Sequence, residues 1–192
     1  LKHNFFGQWV ADYSEFLGLA KELGIFKNRK IIVMGVSEGG LLASYLGKNF
    51  ELIDMVILCN SGFMETKEEL QLIANKNGFK GSIQPNFNQI SDDSISYEKY
   101  FMGQTYKYWY SLFNQSSFNY LNRLKKPILI VHGTKDANCP IESADLVYKL
   151  ENKVDYFRIN EMDHFYNKES RSIKNQVFDS IEKWVLRNIN NQ

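Results

Sequence analysis

The sequence is poor in the residues that staple or interrupt a chain. Two cysteines (Cys59, Cys139), three prolines and three histidines (His3, His132, His164) are all that its 192 residues contain. Two thiols cannot make a dense disulfide framework or, by themselves, a four-ligand zinc site. They read as reduced and packed, although both follow strand-like runs and could approach each other. Lys and Arg exceed Asp and Glu by one, 23 against 22, so there is no electrostatic case for nucleic acid or an anionic membrane as partner. No apolar run approaches the roughly 18 residues of a membrane span. No signal-peptide pattern is visible, and a cytoplasmic location is the expectation. What is present suits a folded domain: 44% hydrophobic and 23% charged residues, in a length within the roughly 100–200 residues of one domain. The chain opens on Leu1 rather than Met.

Along the chain, periodicity alternates between helix and strand. Residues 12–23 set Phe16, Leu19, Ala20 and Leu23 at helical spacing, and Gly24 is a plausible stop. Residues 31–36 are a short apolar run, 39–50 a tightly packed helix, and 52–58 a second apolar run ended by Asn60-Ser61-Gly62. Residues 127–131 form a third run, followed by His132-Gly133. Residues 141–150 read as helix, 154–159 as a fourth strand, and 172–189 as a closing helix with Val177, Ile181, Trp184 and Val185 on one stripe. Strands such as Ile31-Ile32-Val33-Met34, without polar alternation, imply burial on both faces, the mark of a parallel sheet covered by helices. The fold expected is α/β, a doubly wound and mainly parallel sheet.

Residues 63–120 interrupt this alternation. Residues 65–75 look helical and 78–96 polar and loop-like, while residues 97–120 are crowded with aromatics. The stretch reads as a cap inserted over the C-terminal edge of a core formed by residues 1–62 and 121–192. The alternative is an elaborated crossover whose aromatics pack on the sheet.

The chemistry is carried by Gly35-Val36-Ser37-Glu38-Gly39-Gly40. It follows a buried strand and opens a helix, the context that gives a Gly-x-Ser-x-Gly string meaning. A strand that turns sharply into a helix puts its middle residue in a left-handed conformation. Side chains at Gly35 and Gly39 are expected to collide with neighbouring backbone. The turn lifts the Ser37 hydroxyl clear at the positive end of the helix dipole. Serine needs a base to take its proton, and that base needs a carboxylate to hold its tautomer. His164 follows the fourth strand and Asp136 the third. In an open parallel sheet, the loops after the strands' C-terminal ends converge on one crevice. His132, just ahead of a glycine at a strand end, reads as a turn anchor, His3 as a surface residue, and Asp163 as a local cap.

These residues, in the chain order Ser, Asp, His, resemble the α/β-hydrolase superfamily of serine esterases, lipases and peptidases. The resemblance covers most of the chain outside the cap. It implies Ser37 as nucleophile, His164 as base and Asp136 as the acid that orients it, with the backbone N–H of Glu38 as one oxyanion donor. Some members carry the acid after the preceding strand, but Asn60-Ser61 stands there, which favours Asp136. The Glu38 side chain either faces the pocket or caps the helix. The family's sheet is larger than four strands, and neither the strands before the elbow nor a second oxyanion loop has an equivalent in residues 1–10. The expectation is an α/β-hydrolase fold lacking its N-terminal strands, with the missing segment of the same protein as partner. The elbow strand, apolar on both faces, is expected at the centre of the completed sheet.

The resemblance implies a serine hydrolase that cleaves carboxylic esters or thioesters through an acyl-enzyme, without metal or organic cofactor. Its partner is a small-molecule acyl substrate. Aromatic residues Tyr106, Trp109, Tyr110 and Phe113 are the candidates to contact it, since ligand pockets are mostly apolar. One alternative is an aminopeptidase or oligopeptidase of the same superfamily, with Glu65, Glu68 and Glu69 holding an amino terminus unless they are only a solvated helix face. Another is a non-catalytic hydrolase-like binding protein.

Overall fold

The computed structural model describes residues 3–167 and 170–190. In chain order the elements are α1 (Phe6–Glu22), β1 (Ile32–Val36), α2 (Glu38–Asn49), β2 (Met55–Cys59), α3 (Thr66–Lys76), α4 (Gln84–Asp92), β3 (Tyr100–Phe101), β4 (Gln104–Thr105), α5 (Tyr106–Leu112), α6 (Ser117–Leu121), β5 (Ile128–Gly133), α7 (Ile141–Ala144), a 3₁₀ turn (Asp145–Lys149), β6 (Asp155–Ile159) and α8 (Arg171–Asn190). They form two compact units, one of Arg29–Met64 with Ser116–Gln192, the other of Leu1–Asn28 with Glu65–Gln115.

The first unit is built on a four-stranded parallel sheet in the order β1-β2-β5-β6. Every residue of β2 and β5 is buried, as runs of Val, Ile, Leu and Met without polar alternation require. On one face Met55, Ile57, Cys59, Leu129 and Val131 pack with Val177 and Trp184 of α8. The Trp184 indole N–H reaches the Asp155 carboxylate at 2.7 Å, so the polar tip of this buried ring is satisfied. On the other face α2 lies against β1 and β2. Gly47 of α2 sits so close that a Cβ there would be 2.4 Å from Val56.

β1 stands where a sheet lacking the strands before the elbow leaves it. It is the outermost strand of the four, and Met34 and Val36 are 49% and 42% exposed. A run of apolar residues reports which faces a strand can bury. It does not report whether its edge has a partner, and among the described residues none pairs with β1 beyond β2.

The second unit joins the insert to α1. The Phe6 N–H donates to the Ser111 hydroxyl at 2.9 Å, and Trp9 meets Tyr108 edge-on at 6.0 Å. These contacts place residues 6–22 with the insert, not with the sheet where the sequence had put them. α1 buries Phe6, Leu17 and Ala20, while Phe16, Leu19 and Leu23 are more than half exposed. Residues 78–96, expected as loop, contain α4. Ile83, Phe87 and Ile90 fall at helical spacing and are buried, and Pro85 sits in the first turn where its missing N–H costs nothing. Residues 97–105 contribute the short antiparallel pair β3-β4.

Candidate active site

β1 ends at Val36, and Ser37 follows with φ 54° and ψ −127° before α2 begins at Glu38. A non-glycine residue in this region costs about 1–3 kcal/mol and persists only where its surroundings hold it. Here the Ser37 N–H donates to the Cys59 carbonyl at 3.0 Å, and the Ser61 hydroxyl donates to the Ser37 carbonyl at 2.8 Å. Close packing supplies the rest. A Cβ at Gly35 would lie 2.1 Å from the Gly39 carbonyl oxygen, and one at Gly40 would lie 1.9 Å from the Ser61 hydroxyl. Gly39 differs from expectation: nothing lies within 4 Å of a Cβ built there. The second glycine this turn requires is Gly40.

Glu38 is the first residue of α2, so its N–H belongs to the first turn, whose donors have no partner within the helix. Its side chain is exposed, yet nearby protein displaces enough water from the carboxyl to raise its pKa above the ordinary value.

Asp136 and His164 lie in the loops after β5 and β6 and are brought together. His164 Nδ1 is 3.0 and 2.9 Å from the two Asp136 carboxylate oxygens. The Asp136 side chain is fully buried and that of His164 is 12% exposed. A carboxylate only accepts, so Nδ1 carries the proton and the neutral ring keeps its lone pair on Nε2, the form a general base needs. Asp136 is held by two backbone donors, Asn138 N–H at 2.9 Å and Cys139 N–H at 2.8 Å. Among the described residues no hydrogen bond joins the Ser37 hydroxyl to His164. Such bonds commonly tighten only when substrate is bound. A cavity of about 660 Å³ is lined by Val36, Asp163, His164, Phe165 and Tyr166, so it borders His164 and the residue before Ser37.

The neighbouring polar residues have structural work. His132 is buried, with Nε2 2.8 Å from the Cys139 carbonyl and Nδ1 without a partner, and burial lowers its pKa. Asp163 accepts from the N–H groups of Phe165 and Asn167 and so caps its own loop. His3 is exposed. Cys59 and Cys139 are buried and not joined in a disulfide, and burial pushes the Cys59 thiol up to about 12. Asp136, Cys139 and His164 bring possible metal-ligand atoms within 4.8 Å of one another. The Asp136 carboxylate and His164 Nδ1 are already joined by their hydrogen bond.

The aromatics expected to contact substrate divide by burial. Trp109 donates its indole N–H to the Phe101 carbonyl at 2.6 Å and packs edge-on with Tyr108. Phe113 is 2% exposed against Phe87. Both belong to the core of their own unit, because large rings are what holds so small a unit together. Tyr110 is exposed and Tyr106 half-buried. Glu65 and Glu68 are exposed at the start of α3, where acidic groups complement the helix dipole. They read as a helix face, not an amine pocket.

Sequence reasoning passed over Asn60 as the place where a carboxylate was lacking. It has a φ of 45° and is fully buried, and its side chain reaches both the Asp136 and the His164 loops. Only the neighbouring turn signal Asn60-Ser61-Gly62 pointed there.

A parallel sheet with helices on both faces, a strained serine between strand and helix, and an Asp–His pair after later strands define an α/β-hydrolase fold. Comparison with known proteins agrees. The chain belongs to the BD-FAE family, an esterase-type family of α/β-hydrolases, which it matches over residues 16–153. That match includes Ser37 and Asp136 and ends ahead of His164. Among solved structures it is similar to Est1E from Butyrivibrio proteoclasticus, with a TM-score of 0.69 and 18% identity over 97% of this chain and 72% of that one. It is also similar to a monoacylglycerol lipase from Paleococcus ferrophilus, with a TM-score of 0.64 and 18% identity over 96% of this chain and 76% of the other. The esterase Pf2001 of Pyrococcus furiosus gives 0.62 and 15% identity, over 95% of this chain and 62% of that one. At these identities the structural likeness establishes the fold. No curated protein matches the chain. No helix among the described residues is long and apolar enough to cross a membrane.

Proposed function

We propose that the chain hydrolyses carboxylic esters or thioesters through a covalent acyl-enzyme on Ser37, with His164 as general base and Asp136 as its orienting acid. The observation that carries this reading is the Asp136–His164 pair. One carboxylate, with one oxygen held by two backbone N–H donors, meets Nδ1 with both oxygens and leaves Nε2 as the basic atom. His164 accepts the Ser37 proton as the hydroxyl oxygen adds to the substrate carbonyl, and the resulting imidazolium is stabilised by Asp136. The carbonyl oxygen takes the negative charge, and the Glu38 N–H stabilises it. Removal of one such donor costs about 10²–10³ in rate in other enzymes. Collapse of the tetrahedral intermediate breaks the carbon–oxygen or carbon–sulfur bond, and His164 returns the proton to the leaving group. Water, deprotonated by His164, then adds to the acyl-enzyme and releases the acid and free Ser37.

The substrate side rests on family membership and on the cavity beside His164, whose lining includes Val36, Phe165 and Tyr166. These suit an apolar or aryl acid. A form of Est1E is described with ferulic acid bound, an aryl acid of that kind.

A fluorophosphonate probe tests the reading. Labelling at Ser37 that vanishes in Ser37→Ala, with turnover of nitrophenyl esters and not of aminoacyl anilides, is the expected result. Labelling at another residue, or equal labelling of Ser37→Ala, would overturn it. Anilide turnover without ester turnover would assign the site to a peptidase.

A further inference from the structure

Among the described residues Asn60 makes no hydrogen bond to the Asp136 carboxylate or the His164 ring, yet it is bonded to the main chain on both sides of the pair. Its Oδ1 accepts from the Gly133 N–H at 2.9 Å, at the end of β5 where the acid loop begins. Its Nδ2 donates to the carbonyls of Asp163 at 3.0 Å and His164 at 3.1 Å. Those partners fix which way the amide points, since an N–H must face the oxygen and carbonyls must face the NH₂. Its own N–H donates to Val131. Its neighbours in sequence hold the third loop, with the Cys59 carbonyl accepting from Ser37 N–H and the Ser61 hydroxyl donating to Ser37 O. Cys59 at the end of β2 and the two residues after it therefore connect the nucleophile turn, the acid loop and the histidine loop.

The histidine loop needs such a hold. Glu161, Tyr166 and Asn167 all have positive φ, so no regular ladder sets its course. The hydrogen bond to Asp136 fixes the ring of His164 at one atom, and a ring held at one atom can still pivot with its backbone. Bonding the His164 carbonyl to Asn60 removes that freedom. A displacement of about 1 Å in a catalytic group can cost on the order of 10²-fold in rate.

We propose that Asn60 is a positioning residue: its carboxamide locks the backbone of His164 to the end of β5 and so aligns the imidazole with Ser37. The proposal rests on the reading of Ser37, Asp136 and His164 as the triad, and it adds a residue that meets no substrate.

The test uses the full chain with Asn60→Asp and Asn60→Gly. Both residues tolerate positive φ, so the backbone turn is kept. Asn60→Asp also preserves the shape and the acceptor for Gly133, while exchanging two donors for a carboxyl that faces carbonyls. Fluorophosphonate titration counts competent Ser37, and nitrophenyl ester hydrolysis is expressed per labelled site. The expected result is a fall in kcat per labelled site of about 10²-fold, with KM changed by less than about threefold. In Asn60→Asp the buried carboxyl faces two carbonyls and keeps its proton, so the acid limb of the kcat/KM profile stays in place. In Asn60→Gly the limb also stays. A merely structural role lowers the number of labelled sites and leaves turnover per site unchanged. That outcome in either folded variant overturns the proposal. Should one variant not fold, by far-UV circular dichroism, the other decides. Unmodified protein that does not label at Ser37 refutes the triad reading itself, and the inference falls with it, a failure distinguishable from the first because it precedes any variant.

Discussion

The glycines around Ser37 allow a discriminating substitution series, because the structure gives the three positions different neighbours. At Gly35 an added Cβ lies 2.1 Å from Gly39 O, 2.4 Å from Gly39 C and 2.6 Å from Gly40 N. Ordinary contact begins at 3.4 Å, so the first turn of α2 would have to retreat by 3.4 − 2.1 = 1.3 Å. All three neighbours are backbone and cannot rotate aside. The cost belongs at or above the upper end of the roughly 1–3 kcal/mol typical of overpacking. At Gly40 the obstacle is the Ser61 hydroxyl at 1.9 Å. The hydroxyl can turn away by giving up its bond to Ser37, but the Ser61 Cβ at 2.5 Å moves only with its backbone, so Gly40→Ala costs clearly more than Gly39→Ala, and less than Gly35→Ala, where three backbone atoms lie within 2.6 Å. At Gly39 there is no obstacle, and replacing glycine by alanine inside a helix is worth up to about 1 kcal/mol. Gly39→Ala is therefore expected to match or exceed the unmodified protein, by up to roughly 2–4 °C in Tm for a chain of this size. Urea unfolding followed by circular dichroism gives the order Gly39→Ala, then Gly40→Ala, then Gly35→Ala. If Gly39→Ala proves as damaging as Gly35→Ala, the close-approach reasoning is wrong and the spacing of the motif, not its geometry, governs the turn.

Three further outcomes follow from buried groups. Burial holds the His132 pKa below its ordinary value, so the unfolded chain binds that proton more readily. Stability should be full above about pH 6.5 and decline as pH falls below it, by up to about 1.4 kcal/mol per pH unit until the folded-state pKa is reached. Urea midpoints at pH 8, 6 and 5 should show a shallower decline in His132→Gln, and identical slopes would refute the assignment. Cys59, with its thiol pushed up to about 12, should resist iodoacetamide at pH 8 until the chain unfolds; mass spectrometry of the native protein checks this. Asp155→Ala strands the Trp184 indole N–H and removes the Arg187 contact at 2.8 Å, for a loss of about 1–3 kcal/mol. Asp155→Asn keeps an acceptor and should lose less in the same unfolding assay.

What could be read from the sequence was what chemistry or periodicity constrains tightly. The interior strands β2 and β5 were visible as unbroken apolar runs because burial on both faces admits little else. Ser37 stood out because a strand-to-helix turn with glycines around it has few other uses. Other features depend on partners distant in sequence. α4 was hidden because only Ile83, Phe87 and Ile90 among many polar residues mark its buried side. Trp109 and Phe113 looked like pocket residues because an aromatic side chain carries no sign of whether it faces ligand or core. Periodicity gives α1 its helix, but not the docking on α5 that draws it to the insert.

The turn at Ser37 shows why supporting residues are harder to read than a serine proposed as nucleophile. Ser37 is held in a strained conformation on a strand whose outer flank exposes Met34 and Val36. The restraint therefore comes from the inner side. Cys59 O and the Ser61 hydroxyl bond its backbone, and Gly35 and Gly40 let β1, α2 and the end of β2 close on one another. A nucleophile must be one of a few residue types, because its atoms do the chemistry. A support need only offer a donor or an acceptor at the right point, which Asn and Ser do throughout this chain without consequence. Asn60 and Ser61 differ from the other asparagines and serines only in where β2 ends, between the strands that carry Ser37 and Asp136. That location is a property of the strand order β1-β2-β5, so the supporting residues become legible only once the pairing of the sheet is known.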